Sequence, residues 1–398
     1  MQANPYDCRT VMSCAVFRVK EFKVVYEEKL HAQFGWYHGT VRPIAEDSSY
    51  FFCKEWQNMN MDYCLSELKA LLSIDSPSGF TDKAADYLIG ELTALGYAPE
   101  KTRKGGVFCC LGGEGSPLVL MAHVDTLGGM ISTIKPNGRI TITPIGGLRA
   151  ENCEAENCRI YSRFSGVYSG TLQLCNASIH VNGSYGEKLR TFETTEVVLD
   201  EPVKSADDVR ALGIEAGDFV CFDPRTVITE SGYIKSRFLD DKLSAAMLLA
   251  LAKEIKDNNR TLKRKVYLHF TVYEEVGHGA SASVPNDAEE LISVDMGCVG
   301  DGLTCTEREV SICAKDSGGP YNYAVTTALV EAAKSVGAKY AVDVYPHYGS
   351  DVEASLRSGW DVRHGLIGAG VYASHGYERS HIEGVENTLK LLEAYVLD

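Results

Sequence analysis

Two regions in which helices alternate with apolar strands are separated by residues 131–234, which have a different texture. Before the interruption, leucines recur at helical spacing over 65–72, and the apolar run 117–122 is typical of a buried strand. After it, 243–255 predicts an apolar helix and 266–272 a further buried strand. The interrupting residues form short alternating segments with many Gly, Ser, Thr and Asn, which is typical of a small β domain.

This pattern predicts an α/β fold in which one domain is interrupted by another. Residues 59–130 and 235–398 would form the α/β domain, and residues 131–234 the inserted β domain. Residues 1–58 are mixed, aromatic and weakly periodic, and we treat them as a separate N-terminal extension.

Composition and charge narrow the classes of function. The 398 residues are 45 % hydrophobic and 23 % charged, which is enough for two domains with cores of their own. The net charge, 39 − 54 = −15, argues against nucleic acid or an anionic membrane as the main partner. The early apolar run 11–17 is broken by Ser13 and followed by Arg18, unlike a signal peptide or membrane anchor. Thirteen cysteines without a CxxC pair indicate reduced thiols in a cytoplasmic protein.

Polar side chains follow the predicted strands where a site would be built. His123 ends an apolar strand, and Asp125, two residues later, could accept the proton on one ring nitrogen and so orient the histidine. Asp240 and Asp241 stand at the start of an apolar helix, where they could cap the helix or bridge two cations. An isolated HxD is more often a surface histidine beside a turn.

Glu274 and Glu275 are the most informative pair, because paired glutamates directly after a buried strand are costly unless metal or proton chemistry compensates them. One could bind metal while the other holds an attacking water. Asp295 also ends an apolar run, and His375 and His381 precede the last amphipathic helix. Either histidine could equally be an ordinary loop residue.

In order and spacing these motifs resemble the glutamyl and deblocking aminopeptidase family, whose best-known members assemble as tetrahedral aminopeptidases. The resemblance covers about residues 59–398 and implies the mixed-sheet α/β fold of zinc exopeptidases. The long separation of His123 from Asp240 is its specific part. Carboxypeptidase-like and dipeptidase-like relatives join these two positions by a short link and carry their extra domain later in the chain.

The resemblance implies two divalent metal ions per subunit, zinc first, with cobalt or manganese as chemically compatible ions. It implies roles for seven residues: His123 and Asp295 on one ion, Glu275 and His381 on the other, Asp240 as the bridge, Glu274 as general base and Asp125 as the orienter of His123. The nucleophile would be a metal-bridging water. Ser350 and Asp351 match the family's loop near the substrate pocket.

The same resemblance implies short peptides as substrates and a homo-oligomer, possibly a dodecamer. Thr126 stands where the commoner family pattern has Glu, so a preference for acidic N-terminal residues does not carry over. Residues 1–58 have no counterpart in the family. They are either a true extension or the result of a start codon chosen too early, with Met59 or Met61 as the real start.

Three other functions stay open at this point. A metal-dependent dipeptidase or an N-acyl amino-acid deacylase would keep the same ions and base, although the position of the insertion argues against both. A non-catalytic binding protein would be expected to have lost ligands or the base. A carbohydrate-active enzyme would need a carboxylate pair working without metal and would leave the histidines without a role.

Overall fold

The computed structural model describes residues 61–397, so the predicted extension, residues 1–58, lies outside the described part of the chain. The helices, in chain order, are α1 Met61–Leu72, α2 Asp82–Ala94, α3 Ala206–Ala211, α4 Leu239–Asp257, α5 Tyr323–Ser335, α6 Asp351–Arg357 and α7 Ile382–Val396.

The strands, in chain order, are β1 Glu100–Lys101, β2 Val107–Gly112, β3 Leu118–His123, β4 Gly128–Ile134, β5 Ile140–Ile145, β6 Asn157–Ser162, β7 Gly166–Leu174, β8 Thr195–Leu199, β9 Phe219–Phe222, β10 Val227–Ile228, β11 Tyr233–Ser236, β12 Val266–Thr271, β13 Glu290–Val294, β14 Gly297–Val299, β15 Val310–Lys315, β16 Tyr340–Val344, β17 Arg363–Tyr372 and β18 Glu378–His381.

A large mixed sheet forms the centre of the fold. Its order is β1-β2-β12-β3-β13-β17-β18-β11-β10, with β14 and β15 also on β17 and β16 on β15. Strands β12, β3, β13 and β17 run parallel, and β14 is parallel to β17. Strand β2 is antiparallel to β12, and β15 and β18 are antiparallel to β17. All six side chains of β3 are buried, as expected for a strand covered on both faces.

Successive side chains of β3 point to opposite faces of the sheet and show how both faces are covered. Leu118 and Leu120 join a core that includes helices α1, α4 and α7, whereas Val119 and Met121 join a second core with Val352 of α6. Helix α4 is buried along most of its length and packs against α1 and β3. The helices and buried strands predicted on either side of the insertion are present, and the α/β fold class is confirmed.

The inserted segment folds into a closed barrel of β4, β5, β8, β7, β6 and β9, in that order. Its strands span residues 128–222, and the inserted segment also contains helix α3. Ser205 is the N-cap of α3, and its side chain accepts a hydrogen bond from the Asp208 amide. Strands β10 and β11, which lie mostly within the predicted insertion, instead extend the main sheet by pairing with β18. The barrel corresponds in position to the predicted β domain but ends earlier.

A polar contact ties the barrel to the chain that follows α1. The Arg159 guanidinium, on β6, donates from Nε and Nη2 to the two oxygens of Asp75, at 2.6 and 2.8 Å. The Tyr161 hydroxyl donates to the same carboxylate at 2.7 Å. A planar guanidinium matched to both carboxylate oxygens fixes orientation as well as distance. Within residues 61–397, no helix is both long and apolar enough to span a membrane.

Candidate active site

The ends of three adjacent parallel strands bring the predicted site residues together. His123 is the last residue of β3, Glu274 and Glu275 follow β12, and Asp295 follows β13. Because these strands run in the same direction, their carboxyl ends meet at one edge of the sheet. Asp240, at the start of α4, faces the same edge, so residues far apart in the chain form one cluster.

The carboxylate of Asp240 lies between two histidines. Its Oδ1 is 3.0 Å from His123 Nε2, and its Oδ2 is 3.5 Å from His375 Nε2. Burial opposes its charge, yet hydrogen bonding to the two histidines prevails and lowers the pKa of Asp240. In turn, the contact with Asp240 raises the pKa of His375 to about 9. Each carboxylate oxygen therefore has a histidine partner of its own.

The paired glutamates face different histidines. Glu274 Oε2 is 3.8 Å from His123 Nε2, and Glu275 Oε2 is 3.7 Å from His375 Nε2. The side chain of Glu275 is only 4 % exposed. Burial, above all, raises the pKa of both carboxyl groups well above the usual range. The two neighbouring glutamates on one short turn therefore lie on different sides of the cluster, one near each histidine.

Asp125 is fully buried beneath this turn. Its carboxylate accepts hydrogen bonds from the amides of Glu274 (3.1 Å) and Glu275 (3.3 Å) and from the Ser78 hydroxyl. His123 Nδ1 lies 2.9 Å from the main-chain oxygen of Asp125 and 3.6 Å from its carboxylate. Asp125 is beside His123 as expected, but its carbonyl is the nearer acceptor, and its carboxylate anchors the glutamate turn.

Two buried carboxylate oxygens in the cluster have no hydrogen-bond partner within the described residues. Among the described residues, Asp241 Oδ1 and Glu275 Oε1 are buried without a hydrogen bond. Ligand atoms of His123, Asp240 and Glu275 lie within 4.8 Å of one another, as do those of His123, Asp241 and Asp295. Burial raises the pKa of Asp295 to about 7, and the nearby Asp240 charge adds to this. Unpaired buried carboxylates beside histidines fit divalent cations, which would neutralise them.

The structure does not bring His381 into this cluster, which contradicts its predicted place as a metal ligand. The Glu383 amide donates to His381 Nδ1 at 3.0 Å, so Nε2 carries the proton and donates to the Ser231 carbonyl at 2.9 Å. Neither ring nitrogen has a lone pair left for a metal. His375 takes the position instead, 3.5 Å from Asp240 and 3.7 Å from Glu275.

Contacts from outside the strand ends hold His375. Its main chain is left-handed (φ 61°), a conformation that costs energy for a residue other than glycine. Asn152 Nδ2 donates to its carbonyl at 3.0 Å, and Glu378 Oε1 accepts from its amide at 2.9 Å. The imidazole approaches Gly147 so closely that a Cβ there would clash with it. Sequence reasoning missed Glu378 and Asn152, because their partners are main-chain atoms, which carry no signal in the sequence.

The cluster opens into a cleft of about 680 Å³ whose lining includes Glu274, Asp295, His375 and Asp351. Asp351, in the loop predicted to border the substrate pocket, is 3 % exposed. Its carboxylate accepts from the Thr271 hydroxyl and from the Ala280 amide. Asp351 thereby holds both ends of the segment that carries the two glutamates.

Comparison with known proteins identifies the family of the chain. The sequence pattern of the M42 glutamyl aminopeptidase family matches residues 105–391. YhfE of Bacillus subtilis (strain 168), which carries the name of an aminopeptidase, is 43 % identical over 331 residues. That match covers 83 % of this chain and 96 % of YhfE.

Solved structures show the same fold at low sequence identity. The TET aminopeptidase of a marine-sediment thaumarchaeote superimposes with a TM-score of 0.77 at 17 % identity, over 85 % of this chain and 96 % of that one. The TET1 peptidase of Pyrococcus horikoshii gives 0.73 at 20 % identity, over 83 % and 98 %. The chain belongs to the M42 glutamyl aminopeptidase family and is therefore an enzyme that hydrolyses peptide bonds.

Proposed function

We propose that this enzyme is a dinuclear metallo-aminopeptidase that removes residues from the N-termini of short peptides. One observation supports two ions rather than one: the two oxygens of Asp240 face different histidines, His123 and His375. A carboxylate so placed suits two cations, one on each side. Asp295 would complete the His123 side and Glu275 the His375 side. Zinc is the expected ion, and cobalt or manganese suits the same ligands.

Glu274 is the general base in this proposal. A bound pair of divalent ions supplies an acidified water and a polarised substrate carbonyl. Glu274 takes the proton of the attacking water and returns it to the leaving amine. Burial raises the pKa of its carboxyl group, which favours uptake of a proton by Glu274. Asp125 keeps Glu274 in place through its amide.

Assembly and location complete the proposal. The Pyrococcus horikoshii relative can assemble into a tetrahedron or a large octahedral shell, and we extend homo-oligomerisation to this chain, with a dodecamer as the expected form. We further propose a cytoplasmic enzyme, because the ten described cysteines are all free thiols.

The test uses peptides with free and with blocked N-termini and protein stripped of metal. Resupply of zinc, cobalt or manganese should restore release of single N-terminal residues. Glu274→Gln should lower kcat by about 10²- to 10⁴-fold, the usual contribution of a general base, while bound metal stays at the wild-type level. Glu393→Gln, the same substitution on α7 away from the cleft, is the matched control and should keep wild-type kcat.

Three results would overturn the proposal. Absence of cleavage with every metal would remove the aminopeptidase function. Hydrolysis confined to acylated amino acids would point to a deacylase with the same base. Full activity of Glu274→Gln would show that Glu274 is not the general base.

A further inference from the structure

One buried carboxylate joins two of the proposed ligands through their main chains. Glu378 Oε2 accepts from the Asp240 amide at 3.0 Å, and Glu378 Oε1 accepts from the His375 amide at 2.9 Å. Glu378 is 2 % exposed and contributes no atom to the ligand groups described above. A single side chain thus spans two segments that are remote in sequence.

The sheet explains how Glu378 reaches this position. It is the first residue of β18, which pairs with β11, and its register partner there is Ser236. The chain continues from β11 through Arg237 and Phe238 into the start of α4, where Asp240 lies. Strand β18 also pairs with β17, which leads into the loop of His375. Glu378 therefore lies where both ligand segments leave the sheet.

Both segments need such support. His375 has a left-handed main chain (φ 61°), and the main chain of Asp240 departs from helical geometry at the start of α4 (φ −74°, ψ 100°). Fixing both amides to one rigid group sets the 3.5 Å spacing between His375 Nε2 and Asp240 Oδ2. Partners that orient ligands in this way control metal affinity.

We propose that Glu378 is a positioning residue that holds Asp240 and His375 in register for the ion on the His375 side. This inference rests on the proposed function, because it presumes that these two residues share an ion. It predicts a selective effect, in which the His375-side ion is weakened and the His123-side ion is retained. His123 is held instead by Asp125 and by the Asp241 carboxylate, which accepts its amide at 3.2 Å.

The experiment measures zinc affinity by chelator competition on the full chain, together with thermal unfolding of the metal-free protein. Glu378→Gln keeps the length of the side chain but loses one acceptor, and Glu378→Asp keeps the charge but is too short to reach both amides. His375→Ala identifies the binding step of the His375-side ion. Glu290→Gln is the matched control, since Glu290 is 4 % exposed but pairs with Arg264 and Arg363, away from the cluster.

We expect both Glu378 variants to weaken zinc affinity at the His375 side, the binding step lost in His375→Ala, by about 10- to 100-fold. Zinc affinity at the His123 side should stay at the wild-type value. Glu290→Gln should keep both steps even if its unfolding temperature falls. Unchanged affinity in both Glu378 variants, or equal loss of both ions, would overturn the inference. If Glu378→Gln does not fold, Glu378→Asp alone decides. Failure of the proposed function would appear in the wild type itself, as fewer than two bound ions or no peptidase activity.

Discussion

Two histidines six residues apart differ in what surrounds their ring nitrogens. His381 caps α7 by accepting the Glu383 amide and uses its other nitrogen on the Ser231 carbonyl. His375 instead turns Nε2 toward Asp240 and Glu275. Metal binding needs a free lone pair on the imidazole. Of these two histidines, only His375 has a ring nitrogen that faces the carboxylates of the cluster.

Separate alanine variants of the two histidines should therefore differ in kind. His375→Ala should bind one ion fewer per chain and lose most of its activity. His381→Ala should keep its metal content but lose about 1 kcal/mol of stability, the usual cost of a lost helix cap. Metal content by mass spectrometry and unfolding by urea check both effects. Loss of metal in His381→Ala with full retention in His375→Ala would instead support His381 as the metal ligand.

The sequence could identify the chemical type of the site but not all its members. His123, Asp240, Glu274, Glu275 and Asp295 stand at strand or helix ends, where periodicity makes them visible. His375 and His381 share one loop region, and no periodic pattern separates them. Glu378 was equally hidden, because its value lies in contacts with main-chain atoms across 378 − 240 = 138 residues.

At the level of helices and strands, packing explains where the predictions departed from the structure. The main chains of Asp240 and Asp241 depart from helical geometry, so regular helix in α4 begins only after Asp241, close to the predicted start at 243. Thr81 stands at the N-cap of α2, where a threonine hydroxyl often caps a helix, but its side chain makes no capping hydrogen bond. Strand β11 pairs with β18 although the paired residues lie 378 − 236 = 142 to 381 − 233 = 148 positions apart, which a local pattern cannot show.

The contact between β6 and the segment after α1 should contribute measurably to stability. Arg159→Lys cannot donate to both oxygens of Asp75, so we expect a loss of about 1 kcal/mol in the free energy of unfolding. Arg210→Lys is the matched control, because its ion pair with Asp207 is largely exposed and worth about 0.5 kcal/mol or less. Urea unfolding of both variants measures the difference. Equal midpoints would show that the barrel does not depend on this contact.

Helix α7 contains a half-buried carboxyl group that should make stability depend on pH. Burial, assisted by the charge of Glu254, raises the pKa of Glu393 to about 7 from 4.5. The folded state thus binds the proton more tightly than the unfolded state, and its contribution to stability is lost as pH rises from 4.5 through 7. Glu393→Gln stays neutral, so its stability relative to wild type should rise by about 1 kcal/mol between pH 5 and pH 8, after allowance for solvent screening. Urea unfolding at the two pH values tests this, and a gain that is equal at both would contradict it.

Over the molecule as a whole, the barrel carries several of the most exposed large apolar side chains. Large side chains in its turns and loops are 67 to 85 % exposed, namely Phe164, Ile179, Val181 and Leu189. Exposed apolar groups of this size are typical of surfaces that contact other proteins. A closed barrel has no strand edge to offer, so association through it would use side chains rather than strand pairing.

We therefore predict that the enzyme associates with copies of itself. Light scattering during size-exclusion chromatography should give a mass several times the 43.5 kDa of one chain. High salt should leave the assembly intact, because apolar contacts are not screened. A mass of one chain at micromolar concentration would contradict the prediction.

The scattering of the ligands along the sequence also has a consequence for biosynthesis. His123 and His375 lie 375 − 123 = 252 residues apart, and the segments between them supply the other ligands. A growing chain on the ribosome cannot hold the complete set until almost all of it has emerged. Contacts this distant are also slow to form during folding. Under the proposed function, the enzyme would bind its full set of ions only after synthesis.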